Sequence, residues 1–185
     1  MYPEVSYEKV SVCFFCKVQE EWGELSNMSN KYGVRVNGIS IRNTEALYQA
    51  CRFPNNSEAQ KKILSGKSGM SSKMTSRHYR AQGYTRSDWK DVRIDIMRFC
   101  LKLKLYQNPP LRNVLLATAN KPIVELSHKD KFWGTVEENG ILIGQNVLGR
   151  MWMEIREDII NGIRDYKTRP TTSIQNFILM GNAIT

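Results

Sequence analysis

The sequence contains few of the features that mark secreted or membrane-embedded proteins. Its 185 residues include four cysteines, too few for a secreted disulfide scaffold, so we expect reduced thiols and a cytoplasmic location. No apolar run approaches the roughly 20 residues of a membrane-spanning helix, and the first residues lack the pattern of a secretory signal. A membrane partner is therefore not expected.

Motifs for the common cofactor and nucleophile chemistries are also missing. There is no P-loop, no G-x-G-x-x-G and no G-x-S-x-G. Cys13 and Cys16 form a C-x-x-C pair, but neither a second pair nor a histidine pair completes a tetrahedral zinc site. His78 and His128 are each isolated. We therefore expect no cofactor, no metal and no obligate protein partner.

Acidic residues are absent from residues 59–87, which lie in a strongly basic stretch. Residues 59–124 contain fourteen Lys and Arg against three Asp and Glu, a balance of +11, whereas the whole chain carries +9. Such a concentrated positive field favours an anionic partner, namely a phosphate, a pyrophosphate or a nucleic acid. The alternative is a solvated helical face.

The remaining composition and patterning predict an α+β fold. Hydrophobic residues make up 41% and charged residues 24%, as in an average globular domain. We expect a single helix-rich domain with a small β-sheet over residues 1–164, and a tail over 165–185 that docks or stays mobile. The predicted elements are strands at 11–18 and 122–126, a hairpin around Asn37-Gly38, helices at 44–52, 57–65, 88–107, 111–118 and 147–160, a short helix with a loop over 68–85, and a long loop over 127–145.

Two tryptophans each lie beside a carboxylate in a polar segment. Asp130 precedes Trp133 by three residues, and Asp88 directly precedes Trp89. An aromatic ring for stacking and a carboxylate for proton transfer suit a flat heterocycle attached to a sugar. The alternative is that both tryptophans belong to the core and both aspartates are caps, which the position of Asp88 at a helix start favours.

Seven short segments occur in a characteristic order between about residues 15 and 157. They are WGELSN at 22–27, TEALYQA at 44–50, RSDW at 86–89, MRFCLKLKLYQ at 97–107, LLAT at 115–118, DKFWG at 130–134 and GQNVLG at 144–149. Taken together, these segments resemble the NADAR family of N-glycosidases. Residues 68–84 match that family loosely, and the chain after Asn161 has no counterpart in it.

This resemblance implies an active site as well as a fold. It implies catalytic roles for Glu45, Asp130 and Lys104. Lys104 follows Leu103 of an apolar helical stripe, so it is expected to be partly buried, the alternative being a surface lysine. The implied substrate-binding residues are Asn27, Lys73, Arg86, Trp89, Trp133, Gly134, Asn146 and Gly149.

The family is associated with two substrate classes that share one scissile bond. They are the phosphoribosylamino-pyrimidine intermediates of riboflavin synthesis and ADP-ribose on guanine bases of nucleic acid. The basic stretch over residues 59–124 slightly favours the second class. In both, ribose C1 is bonded to an exocyclic amino nitrogen. The expected partner is thus a phosphorylated ribosyl or ADP-ribosyl substrate, with nucleic acid as its possible carrier.

Two routes of cleavage remain open from the sequence. In a direct route, an acid protonates the leaving nitrogen while a carboxylate holds water and stabilises the cationic sugar. In a ring-opening route, the sugar becomes an imine that exchanges onto Lys104 as a Schiff base. A non-catalytic module that binds ADP-ribose or a nucleotide in a basic pocket is the alternative function.

Overall fold

The computed structural model describes residues 2–184, which fall into two compact units. The mixed unit comprises residues 2–26 and 109–165, and the helical unit comprises residues 27–108 and 166–184. Helices and several small sheets occur together, so the predicted α+β class is confirmed. No helix within the described residues is long and apolar enough to cross a membrane. The predicted division at residue 164 stays a prediction.

The elements in chain order include short strands and helices of 7 to 19 residues. The strands are β1 (Val5–Glu8), β2 (Cys13–Phe15), β3 (Val34–Val36), β4 (Ile39–Ile41), β5 (Ile123–Glu125), β6 (Val136–Glu138), β7 (Ile141–Gly144), β8 (Ile178–Leu179) and β9 (Asn182–Ala183). The helices are α1 (Thr44–Ala50), α2 (Ser57–Leu64), α3 (Gly69–Ala81), α4 (Trp89–Gln107), α5 (Pro109–Ala117) and α6 (Val147–Ile160).

The mixed unit contains an antiparallel sheet in the order β1-β7-β6 and a parallel pair of β2 with β5. Helix α6 packs on β5, and its apolar side chains are buried at the helical spacing expected from the sequence. Met151, Trp152 and Ile155 are among them, each at most 1% exposed. The indole nitrogen of Trp152 donates to the carbonyl of Leu25 at 3.0 Å, so this large side chain is buried without an unpaired polar atom.

The prediction of a long loop over 127–145 is wrong for the second half of that range, which forms the β6–β7 hairpin. Asn139 and Gly140 make its turn with φ values of 52° and 82°, the left-handed pair that a type I′ turn requires. The strand before the turn reads Val-Glu-Glu and is largely exposed. It therefore lacks the alternation of apolar and polar residues that reveals a half-buried strand.

The helical unit confirms the predicted hairpin and the longest predicted helix. Asn37 and Gly38 turn between β3 and β4 with φ values of 50° and 78°. Helix α4 covers Trp89–Gln107, where its apolar stripe predicted a helix over 88–107. Helix α1 packs against α2, α3 and α4, so it lies at the centre of this unit.

Helix α2 begins at the predicted residue, Ser57, whereas helix α3 is longer than the sequence suggested. Asn56, whose side chain accepts from the Ala59 amide at 2.9 Å, caps α2. Helix α3 is a regular helix of 13 residues, where we expected a short helix and a loop, and a Ser68–Ser71 capping box starts it. Its buried residues Ser72, Ser76 and Tyr79 are small or amphipathic, so its inner face carries little hydrophobic signal.

The C-terminal residues 175–184 belong to the helical unit and pack on its helices. The Phe177 ring meets that of Phe99 edge-on at 5.1 Å. The Gln60 side chain donates to the carbonyl of Ile178 at 2.8 Å and accepts from the amide of Met180 at 2.7 Å. These contacts tie the β8–β9 segment to α2 and α4.

Candidate active site

The start of helix α1 is held by two asparagines. The Asn43 side chain accepts from the Ala46 amide at 2.9 Å and caps the helix. The Asn27 carbonyl accepts from the Glu45 amide at 3.0 Å, and its side-chain oxygen accepts from the Thr44 hydroxyl at 2.9 Å. Asn27, a predicted substrate-binding residue, thus lies directly beside the backbone of Glu45. What it does here is fix the first turn of α1.

Glu45 is a buried carboxylate whose orientation is set by a chain of hydrogen bonds. Its side chain is 6% exposed. The Gln49 amide nitrogen donates to Glu45 Oε1 at 2.8 Å, and the Ser76 hydroxyl donates to Gln49 Oε1 at 2.5 Å. Because buried carboxylates are costly unless they are hydrogen-bonded, this chain helps to stabilise Glu45 in its buried position. We did not predict Gln49 or Ser76, although Gln49 lies one helical turn after Glu45.

Trp89 is buried, and one face of its ring is covered. The guanidinium carbon of Arg52 lies 4.0 Å from the ring centroid, and the Tyr48 ring lies 5.1 Å away at an angle of 53°. Trp89 itself is 7% exposed. This arrangement favours the core alternative over an open stacking platform, and a substrate contact by Trp89 stays a prediction.

Arg52 is a buried charged residue stacked on Trp89 that the sequence analysis did not single out. Burial lowers the pKa of its guanidinium to about 10, although the neighbouring Tyr48 opposes that shift. Burial also raises the pKa of the Tyr48 hydroxyl. Arg52 lies two helical turns after Glu45, and this spacing is the signal that could have identified it.

Lys104 is completely buried on α4, with an exposed fraction of 0%. The surface-lysine alternative is therefore excluded. Cys100 lies one turn earlier on the same helix, and its pKa is raised by burial first, then by Cys51 and by the charge of Glu45. Residues four apart share a helix face, so Lys104 lies on the same face of α4 as Cys100, whose pKa the Glu45 charge raises.

The two predicted phosphate ligands lie in different surroundings. Lys73 is exposed on α3. Arg86 is buried and donates from two nitrogens to Asp88, at 2.6 and 2.9 Å, and to the carbonyl oxygens of Gln175 and Asn176. Arg86 holds the pKa of the Asp88 carboxyl below its ordinary value. A phosphate would have to displace these contacts, so the role of Arg86 as a phosphate ligand stays a prediction.

In the mixed unit, Asp130 shapes the loop that carries Trp133. Its Oδ1 accepts from the amides of Phe132 and Trp133, both at 3.0 Å. Trp133 is half-buried and meets the Phe132 ring edge-on at 4.9 Å. Glu45 and Lys104 belong to the helical unit, so the pairing of Asp130 with Glu45 in one site stays a prediction.

The three other predicted binding residues in the mixed unit make scaffold contacts. The Asn146 side chain accepts from the Glu125 amide at 3.1 Å and donates to the Ile123 carbonyl at 2.9 Å, which joins α6 to β5. A Cβ at Gly149 would overlap the carbonyl oxygen of Ile123, and one at Gly134 would overlap that of Glu125. Close backbone approach therefore explains both glycines, and a contact with substrate stays a prediction for all three.

Comparison with known proteins places the chain in a family. Residues 14–160 match the model of the NADAR domain, so the chain belongs to the NADAR domain family, and the resemblance found in the sequence is confirmed. N-glycosidase YbiA of Escherichia coli K12 is 30% identical over 145 residues, which are 78% of this chain and 86% of that protein. The NMR structure of E. coli YbiA superposes with a TM-score of 0.67 and 28% identity, covering 83% of this chain and 87% of that one.

Two longer relatives carry riboflavin biosynthesis names. One, from Vibrio vulnificus, is 36% identical over 146 residues, covering 79% of this chain and 38% of that protein. The chloroplastic protein PYRR of Zea mays is 32% identical over 173 residues, covering 87% and 27%. The chain therefore spans well under half the length of these two relatives.

Proposed function

We propose that this chain is an N-glycosidase that hydrolyses the bond between ribose C1 and an exocyclic amino nitrogen of a phosphorylated substrate. The observation that carries the proposal is the Glu45 carboxylate, buried at 6% exposure and oriented by Gln49 and Ser76. A carboxylate held in this way has little freedom to reorient, which is what catalysis at an anomeric carbon needs. The name of the relative YbiA supports the same activity.

In the direct route, Glu45 acts on the water and the sugar. Its carboxylate stabilises the positive charge that develops on ribose C1 and accepts a proton from the attacking water. The C1–N bond breaks, its electron pair goes to nitrogen, and the leaving amine takes up a proton. In this proposal, Asp130 is the general acid, and its protonated side chain supplies that proton and becomes a carboxylate.

In the ring-opening route, Lys104 takes a chemical part. The ribosylamine opens to an imine, the Lys104 amine adds to its carbon, and the exocyclic amine leaves with a proton. Water then hydrolyses the lysine imine to release the sugar. The complete burial of Lys104 supports this route, because it excludes a surface role for the amine.

Two observations support different substrate classes. The names of the two longer relatives support phosphoribosylamino-pyrimidines of riboflavin synthesis. The charge of the helical unit, eighteen Lys and Arg against five Asp and Glu, supports the larger ADP-ribosyl group on guanine bases of nucleic acid. The proposed reaction is the same in both.

The test is incubation of the purified protein with each substrate class, followed by mass analysis of the free base and the free sugar. Release of the base together with ribose 5-phosphate or ADP-ribose is the expected result. Tight binding of either compound without release would favour a non-catalytic binding module. Neither binding nor release with both classes would overturn the proposal.

A further inference from the structure

Arg52 is a buried cation that forms no ion pair with a carboxylate of residues 2–184. It is 9% exposed, and its Nε has no hydrogen-bond partner within residues 2–184. The Arg52 side chain donates to the Tyr48 hydroxyl. The charge of Glu45 favours the protonated guanidinium, but this effect is weaker than the opposing effect of the like charge of Arg80. Burying a charge without a close partner of opposite sign destabilises a protein. The fold thus tolerates a costly group at this position.

Other arginines add to the positive charge around Arg52. Arg80, on α3, acts on the Arg52 guanidinium with a like charge. Arg93, on α4, acts together with Arg52 on the Tyr48 hydroxyl. Arg52, which follows α1, therefore lies in a positive field to which Arg80 and Arg93 contribute, and all three arginines belong to the helical unit.

The geometry of Arg52 is that of a prepared donor. The Trp89 ring, 4.0 Å from the guanidinium carbon, limits the rotation of the guanidinium plane. A guanidinium presents paired N–H donors that match two phosphate oxygens, and stacking on an aromatic ring fixes this fork in place. Because the fold already orders the Arg52 side chain, ligand binding does not lose the conformational entropy of ordering it.

We propose that Arg52, stacked on Trp89 in a field to which the charges of Arg80 and Arg93 contribute, is the binding site for a phosphate group of the ribosyl substrate. The site takes a phosphate monoester or a pyrophosphate, and its assignment to the reaction rests on the proposed N-glycosidase function. Trp89 acts here as a positioning residue for Arg52. This assignment gives the phosphate a site other than Arg86, whose guanidinium already binds Asp88 and two carbonyl groups.

Ligand binding tests the site without turnover. Ribose 5-phosphate, ADP-ribose and unphosphorylated ribose are titrated into the wild type, Arg52→Met, Arg52→Lys and the control Arg42→Gln, which removes an exposed charge of the same unit. A charge-assisted hydrogen-bonded pair predicts a loss of about 10- to 100-fold in affinity for a phosphorylated ligand in Arg52→Met. Arg52→Lys keeps the charge without the fork, so a loss of about 3- to 10-fold is expected. The control keeps wild-type affinity.

The two ligands also identify the phosphate that is bound. Preference for ribose 5-phosphate indicates the monoester, and preference for ADP-ribose indicates the pyrophosphate. Equal affinity of the wild type for ribose and both phosphorylated ligands would overturn the proposal. So would unchanged affinity for both phosphorylated ligands in Arg52→Met, or in Arg52→Gln if the methionine variant does not fold.

Thermal denaturation separates a ligand site from a structural cation. Because Arg52→Met removes a buried charge without a carboxylate partner, its Tm should equal or exceed that of the wild type. A lower Tm with unchanged affinity would make Arg52 structural and overturn the proposal. If the wild type cleaves neither substrate class, the proposed function fails, whereas these binding measurements still decide whether Arg52 binds phosphate.

Discussion

Replacing Glu45 with glutamine is the sharpest test of the candidate site. The substitution removes the negative charge but keeps the length of the side chain and an oxygen that accepts the hydrogen bond from Gln49. Loss of a general base or charge-stabilising carboxylate lowers the rate by roughly 10²–10⁴-fold. That factor corresponds to about 2.7–5.4 kcal/mol of transition-state stabilisation.

The same substitution should change stability much less. One charged hydrogen bond at 2.8 Å becomes a neutral one, which costs on the order of 1 kcal/mol. In a chain of this length that corresponds to a Tm lower by about 2–4 °C. The variant is thus expected to be folded but nearly inactive.

The assay compares release of the free base by Glu45→Gln and by a matched control. Glu58→Gln removes an exposed carboxylate of the helical unit that pairs with Lys62 at 2.9 Å, and exposed pairs contribute little to stability. The control should keep wild-type kcat and KM. Wild-type turnover in Glu45→Gln would refute the assignment of Glu45, and a Tm lower by more than about 10 °C would show that the carboxylate is structural.

Three further predictions test the positioning, covalent and scaffold roles. Ser76→Ala removes the 2.5 Å hydrogen bond that orients Gln49, so kcat should fall about 3- to 10-fold with little change in KM. An unchanged kcat would show that Ser76 has no positioning role. Borohydride added during turnover should trap a sugar on Lys104 if the imine forms, whereas full activity of Lys104→Arg without an adduct would leave only the direct route. Gly149→Ala should lower the Tm by roughly 6–12 °C, about 3 kcal/mol, because its Cβ overlaps a backbone oxygen; a wild-type Tm would contradict the scaffold role.

The sequence predicted the elements whose residues carry a periodic signal. Helices α4 and α6 have long apolar stripes, and the β3–β4 hairpin has an Asn-Gly turn between apolar strands. The β6–β7 hairpin has the same turn at Asn139 and Gly140, but β6 is polar and exposed, so the strand signal on one side is missing. Turn chemistry alone should have indicated a hairpin there, since it depends on φ and not on burial.

The site shows a different limit of sequence reasoning. Glu45 and Lys104 could be predicted from the family resemblance, because a motif names the residues that it contains. Gln49 and Ser76 act through a hydrogen-bond chain between α1 and α3, and only the packing of these helices brings them together. Arg52 is a partly similar case: its spacing from Glu45 could have singled it out, but nothing in the sequence indicates that its charge is buried against Trp89.

The division of charge between the two units bears on the proposed recognition of a phosphorylated substrate. The helical unit carries eighteen Lys and Arg against five Asp and Glu, a balance of +13, whereas the mixed unit carries nine against thirteen, a balance of −4. Glu45, Lys104 and Arg52 all belong to the positive unit, so a field that attracts phosphate acts on the unit that holds the candidate chemistry. Exposed charges such as Lys73 act over a distance and are screened by salt, whereas the buried Arg52 is screened much less. Raising the ionic strength should therefore slow association while leaving the preference for phosphorylated over unphosphorylated ligand largely intact.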